Sequence, residues 1–299
     1  MPNILIVNDD GIDAPGLTTL VQKLDEVEDL NVFVVAPAEE RSAFSHSISI
    51  GQVLSAQVRK VAGAKMAFAV GGTPADCTMI ALGALFPGVA FDCVIGGINR
   101  GDNAGRHIIY SGTVGSAREA ACHGLVSIAT SLDSQSKTAN YEASAALTTA
   151  FTVELISRPD LLRSLRGRVV NINYPDLPLE EIKGWRATLP GAWTYRDHWK
   201  TVPAPSASGA GGQEKDVTKE GGPNAQAIAE QTQDLPKAVK ENLNTDALVP
   251  GIRGDGTWDA EPGHTYYFTN TSAPPFKDEY VDFFTICVPQ LSFVVTVWS

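Results

Sequence analysis

Short, wholly apolar runs recur through the first 175 residues, separated by amphipathic segments. The first is Ile4-Leu5-Ile6-Val7. A run that short, with no polar residue on either side of the pleat, reads as a strand buried on both faces, as strands of parallel sheets are. Asp13 and Pro15 follow as helix-start signals. Leu17, Leu20, Val21 and Leu24 then fall at i, i+3, i+4, i+7 spacing and make one helical face. Residues 32–35 are the next buried run, closed by Pro37. Strand, helix, strand in this order is the βαβ unit of a parallel sheet.

The alternation continues. Strands are expected at 91–95, 127–130 and 169–172, and helices at about 112–123 and 140–157, the latter with Leu147, Phe151 and Leu155 on one face. This predicts an α/β protein with a Rossmann-like, doubly wound, mainly parallel sheet over residues 1–175. Beyond 175 the character changes. Residues 176–299 read as an extended loop-and-strand C-terminal appendage, a candidate for subunit contacts. They include a mobile loop at about 201–233, rich in Gly, Ser, Pro and charged residues, and β-forming stretches TYYFTN and LSFVVTVW.

A formal charge of -11 argues against a nucleic-acid duplex or an anionic membrane surface as partner. It leaves open a small anionic ligand, whose local field one cation or helix end can set. The four cysteines lack the spacing of a zinc site and suit a reducing compartment. No membrane-spanning run and no signal-peptide pattern is visible, so a cytoplasmic protein is expected.

In an open α/β sheet, ligands bind beyond the carboxyl ends of the strands. Three polar clusters should fall there: Asn8-Asp9-Asp10-Gly11, Glu40-Arg41-Ser42, and the stretch from Asn99 to Asn103. Adjacent carboxylates resist joint ionisation unless a cation sits near them. Asp9, Asp10, Ser42 and Asn99 together offer the oxygen donors that hard cations prefer. Taken alone, Asp9 and Asp10 read equally well as turn and cap residues before the Leu17 helix. Asn8 stands where a haloacid-dehalogenase-type phosphatase would need its nucleophile, and Ile6 breaks the alternation of an EF-hand loop. Farther along, Ser111-Gly112-Thr113 opens a helix whose N–H groups and hydroxyls suit a phosphate, with Asn103 upstream; an ordinary Ser/Thr cap is the alternative. Asp76 reads as a cap or a pocket residue, and none of the five histidines is assigned catalysis.

The motifs NDDGIDAPG, APAEERSAFSHS, GGTPADC, GGINRGDNAG and YSGTVGSAREA, in this order, resemble the SurE survival-protein family in its eukaryotic-like form. The resemblance covers roughly residues 1–175 and departs from the family pattern in the C-terminal tail. It implies a metal-dependent phosphatase acting on nucleoside monophosphates (5′- and also 3′-), assembled as a homodimer or homotetramer. It implies that Asp9, Asp10, Ser42 and Asn99 hold one divalent cation per subunit, Mg²⁺, Mn²⁺ or Ca²⁺. Asn103, Ser111, Gly112 and Thr113 would then contact the phosphate, with Asp9 or Asp10 acting on the attacking water. The rival readings are a broad-range acid phosphatase or polyphosphatase, and a non-catalytic nucleotide-binding protein.

Overall fold

A computed structural model describes residues 1–191 and, as backbone, the strands at 265–269 and 291–298. The chain order begins with strand β1 (Asn3–Val7), helix α1 (Pro15–Asp25), β2 (Asn31–Pro37), β3 (Val53–Arg59), β4 (Met66–Val70) and α2 (Pro74–Ile80), which runs on as a π-helical turn at Ala81–Leu85. β5 (Cys93–Arg100), α3 (His107–Tyr110), α4 (Gly112–Cys122), β6 (Val126–Asp133), α5 (Glu142–Ser157), α6 (Pro159–Ser164) and β7 (Val169–Pro175) follow. β8 (Gly184–Thr188), β9 (Thr265–Thr269) and β10 (Leu291–Trp298) complete one ten-stranded sheet of order β8-β10-β7-β6-β5-β1-β2-β4-β3-β9. From β10 to β4 every neighbouring pair is parallel.

Strand periodicity sends alternate side chains to opposite faces, and both faces are covered. Ile4 and Ile6 of β1, with Val32 and Val34 of β2, pack into the core beneath α1 and α5. Leu5, Val7, Phe33 and Val35 point the other way, toward α2 and the π turn. Leu17, Leu20, Val21 and Leu24 are all fully buried, so the expected α1 face is the observed one. Each contributes about 1.5–3 kcal/mol by leaving water. α1 also approaches the sheet closely at Gly16, where a Cβ would stand 2.1 Å from the Ile98 carbonyl oxygen.

Four features differ from the sequence reading. The fifth strand does not stop at residue 95 but runs through Gly96 and Gly97 to Arg100. A Cβ at Gly97 (φ +128°) would lie 2.4 Å from the Thr130 carbonyl oxygen. These glycines permit close strand approach and a register shift between Gly96 and Asn99, rather than ending the strand. Next, β3 and β4 form an antiparallel pair that periodicity did not single out. VLSAQVR alternates apolar and polar residues because one face is only partly buried, and MAFAV is short. Asp13 is not the α1 cap: Ala14 occupies that position, and Asp13 pairs with Arg59 at 2.7 Å. Finally, strands from the segment read as an appendage join the main sheet, β10 beside β7 with β8 outside it, and β9 beside β3. The loop expected at 201–233 lies outside the described residues.

Candidate active site

β5, β1 and β2 are neighbours, so their carboxyl ends deliver the three polar clusters to one place. After β1 the buried Asn8 side chain closes the turn on itself. Its Nδ2 donates to the Gly11 carbonyl (2.7 Å) and its Oδ1 accepts the Gly11 N–H (3.2 Å). Asn8 therefore does the turn-making, and neither Asp9 nor Asp10 caps α1. That removes the bland account of the carboxylate pair.

Asp9 is 3% exposed and reaches across to the start of α4. Its Oδ2 accepts the Thr113 N–H (3.1 Å) and its Oδ1 accepts the Thr113 hydroxyl. A helix N-terminus favours an anion, yet burial outweighs it. Loss of solvent, then the charge of Asp10, push the Asp9 carboxyl up from 3.8 to about 6 against the Thr113 donors. Burial likewise raises Asp10, opposed by the Arg100 N–H at 2.9 Å. Gly112 keeps the approach open, since a Cβ there would lie 2.9 Å from both Asp9 Cβ and Pro74 Cγ.

A cavity of about 340 Å³ sits above these strand ends, within the roughly 300–1,000 Å³ typical of small-molecule clefts. Asp9, Asp10, Ser42, Asn99, Asn103 and Ser111 all line it. Gly112 and Thr113 do not. Thr113 is fully buried, and both its donors are turned to Asp9, so a direct phosphate contact is replaced by support of a carboxylate. The Ser111 hydroxyl accepts the Val114 N–H (3.0 Å) as the α4 cap while facing the cavity, which leaves its proton for a ligand. Both earlier readings of this stretch, cap and anion donor, are therefore compatible at Ser111.

Asn103 is pinned on three sides. Its N–H donates to Asn173 Oδ1 (2.7 Å), its Nδ2 to Ser131 Oγ (2.7 Å), and its carbonyl accepts from Asn171 Nδ2 (2.8 Å). Neighbouring strands β6 and β7 thus hold the loop after β5 through buried side chains. This web, and the pair formed by His107 Nδ1 and Asp102 Oδ2 at 3.0 Å on the cavity wall, were missed by sequence reasoning. NINYP reads only as a buried strand with polar interruptions, and those two asparagines were the available signal. Asp76 resolves as structural: it forms a capping box with Thr73 and accepts the Ser49 N–H and hydroxyl, both at 2.8 Å.

The donor set fits a hard divalent cation. Asn99 Nδ2 donates to the Gly101 carbonyl (2.7 Å), which turns Asn99 Oδ1 to the other side. The Ser42 hydroxyl donates to Glu40 (2.9 Å) and keeps its oxygen lone pairs. A buried and a partly buried carboxyl, both raised by burial, beside an amide and a hydroxyl oxygen would be favoured in their ionised form next to such an ion. Among the described residues there is no cluster of three or more His, Cys, Asp or Glu arranged to hold a metal, so amide and hydroxyl oxygens would have to complete this one.

Fold and site together define a doubly wound α/β protein with an acidic, oxygen-lined pocket joined to a helix N-terminus. The family model for survival protein SurE matches residues 4–197, and the chain belongs to that family. A 5′-nucleotidase SurE of Petrotoga mobilis is 40% identical over 198 residues, 66% of this chain and 76% of that protein. One from Geobacter sulfurreducens is 42% identical over 194 residues, 64% of this chain and 70% of that one. Among solved structures, the SurE protein of Aquifex aeolicus matches with a TM-score of 0.55 at 31% identity, over 65% of this chain and 75% of that chain. No helix among the described residues is long and apolar enough to cross a membrane.

Proposed function

We propose that this chain is a divalent-cation-dependent phosphomonoesterase that hydrolyses nucleoside monophosphates to nucleoside and phosphate. The observation that carries the reading is the Asp9–Asp10 pair, Asp9 buried and Asp10 partly so, facing one cavity with Ser42, Asn99, Asn103 and Ser111. The names of the curated relatives support the nucleotide as substrate. A non-catalytic anion-binding module would gain nothing from this carboxylate pair, which repels its ligand.

Asp9, Asp10, Ser42 and Asn99 would hold the cation. When bound, it supplies Lewis-acid polarisation of the phosphoryl group and lowers the pKa of a water. The Ser111 hydroxyl, and the second N–H of Asn103 Nδ2 beyond the one given to Ser131, would bind equatorial phosphoryl oxygens and stabilise the charge that grows there. Thr113 holds Asp9 in one orientation through two hydrogen bonds. The Arg100 N–H does the same for Asp10. A carboxylate so fixed orients the attacking water or takes its proton.

The test is phosphate release from 5′- and 3′-nucleoside monophosphates with Mg²⁺, Mn²⁺ or Ca²⁺, and with EDTA. Chelator-sensitive release is expected, and its absence from every substrate and metal overturns the reading. Comparable turnover of polyphosphate or simple phosphomonoesters would favour the broader phosphatase.

A further inference from the structure

The cavity is lined mainly by polar side chains, and one large aromatic residue stands among them. Tyr110 lines the cavity, is 57% exposed, and directly precedes Ser111. Phe44, 42% exposed, follows the cavity-lining Ala43 on a strap that crosses the start of α4, and the Arg41 guanidinium lies 5.5 Å from its ring centroid. The two are linked by backbone: the Ser45 N–H donates to the Tyr110 carbonyl (2.9 Å) and the Ser45 hydroxyl to the Ile109 carbonyl (2.6 Å). Gly115 lets the strap lie down, since a Cβ there would be 2.2 Å from the Ser45 carbonyl oxygen. The strap is anchored on both sides of Phe44: the Arg41 N–H donates to the Asp9 carbonyl (2.6 Å), and His46 Nε2 meets Glu119 Oε2 at 2.7 Å. Ala43 and Ser45 both take left-handed backbone (φ 61° and 55°), unusual for residues with a Cβ. Tethered on either side, the Phe44 ring nevertheless stays out of the core.

An exposed aromatic ring in the wall of a phosphate-type cavity, with a second on the strap hydrogen-bonded to its backbone, has a chemical meaning. Tyr110 adjoins Ser111 and lines the same cavity, so the ester of a phosphate held at Ser111 is within reach of its ring. Inorganic phosphate, or an ester of a small aliphatic alcohol, would use neither ring. A heteroaromatic base would, because every base presents a π-face to an aromatic side chain regardless of its hydrogen-bonding edge. We infer that Tyr110, with Phe44 on the adjoining strap, forms the subsite for the leaving group and takes its base by stacking. The inference rests on the phosphomonoesterase reading. It further implies weak discrimination among bases, since stacking is tolerant of base identity.

The test compares AMP with ribose 5-phosphate, which carries the same phosphoester and sugar without the base. The readout is the ratio of the two kcat/KM values, so loss of folded protein cancels. In Tyr110→Ala the ratio is expected to fall about five- to 150-fold, mostly through a higher KM for AMP, as stacking energies of ~1–3 kcal/mol per base imply. Tyr110→Phe, which keeps the ring, should restore the ratio, and Phe44→Ala should lower it independently. An unchanged ratio in both alanine variants overturns the subsite while leaving the phosphatase standing. If the unaltered chain releases phosphate from neither ester, the phosphatase reading falls and this inference with it.

Discussion

The Asp9 carboxyl is held against its own preference, and that has a measurable cost. Burial and the neighbouring Asp10 charge raise it from 3.8 to about 6. A carboxyl group with a raised folded-state pKa binds more protons folded than unfolded between the two values. Stability therefore falls as pH rises through that window. The cost is absent below the unfolded value and complete above about pH 6. A shift of about two units corresponds to roughly 3 kcal/mol. Asp9→Asn removes the charge and keeps the shape, and the Thr113 hydroxyl, now accepting from the amide, preserves both hydrogen bonds. Without divalent cation, the variant should match the parent near pH 4. It should exceed it by about 2–3 kcal/mol at pH 7.5, or roughly 5 °C in Tm for a chain of this length. The measurement is a pair of denaturation series in chelator, across pH 4–8. Adding Mn²⁺ at pH 7.5 should stabilise the parent and leave the variant unmoved. A stability difference that stays flat with pH, or a variant less stable than the parent at pH 7.5, would refute the assignment of Asp9 as a desolvated, cation-dependent carboxylate.

Other consequences are read more directly. Asp10→Ala should abolish chelator-sensitive phosphate release while the far-ultraviolet spectrum stays that of the parent; retained turnover would remove Asp10 from the site. Asn173→Ala strips the acceptor from the buried Asn103 N–H, so it should cost about 1–3 kcal/mol in denaturant titration. Because the same change loosens Asn103, KM for nucleotide should rise more than kcat falls. Gly16→Ala forces a methyl group against the Ile98 carbonyl and should destabilise by about 1–3 kcal/mol. Gly83→Ala, whose Cβ would meet nothing within 4 Å, should be neutral or stabilising by up to about 1 kcal/mol in the same assay.

The fold was legible because burial on both faces leaves a strong trace. Runs such as ILIV and VFVV have no competing interpretation once amphipathic helices separate them, and the first 175 residues gave up their order on that basis. Antiparallel β3 escaped because its alternation resembles a surface segment, and β5 was cut short because Gly96 and Gly97 look like terminators. The structure shows those glycines serving strand contact and a bulge just before Asn99, so the punctuation and the placing of Asn99 at the cavity share one local cause. Residues of the cavity were legible where composition is unusual, as in two adjacent aspartates at a strand tip. They were missed where the role lies in partnership. Nothing in the one-dimensional order tells Asn171 and Asn173 from satisfied polar residues, or places Ser131 against Asn103. Thr113 shows the converse: its residue type and position were recognised, but which anion it serves depends on Asp9 being packed against the helix start.

That packing sets a rule for ligand binding at this helix end. The first turn of α4 already stabilises one anion, Asp9, through the Thr113 N–H and hydroxyl. A phosphate at Ser111 is a second anion beside it, and Asp10 is a third negative group once ionised. A helix N-terminus carries only about half a positive charge, too little to offset all three. Phosphate should therefore bind poorly to the cation-free protein at pH 7.5. It should bind far better with Mg²⁺ or Mn²⁺ present, and thermodynamic reciprocity demands that phosphate strengthen cation binding by the same factor. Titration calorimetry with inorganic phosphate, run with chelator and with saturating cation, measures that factor, and the reverse titration must return it. Equal phosphate affinity in the two conditions would mean that the helix end alone recruits the phosphate, and that the carboxylate pair holds no cation beside it.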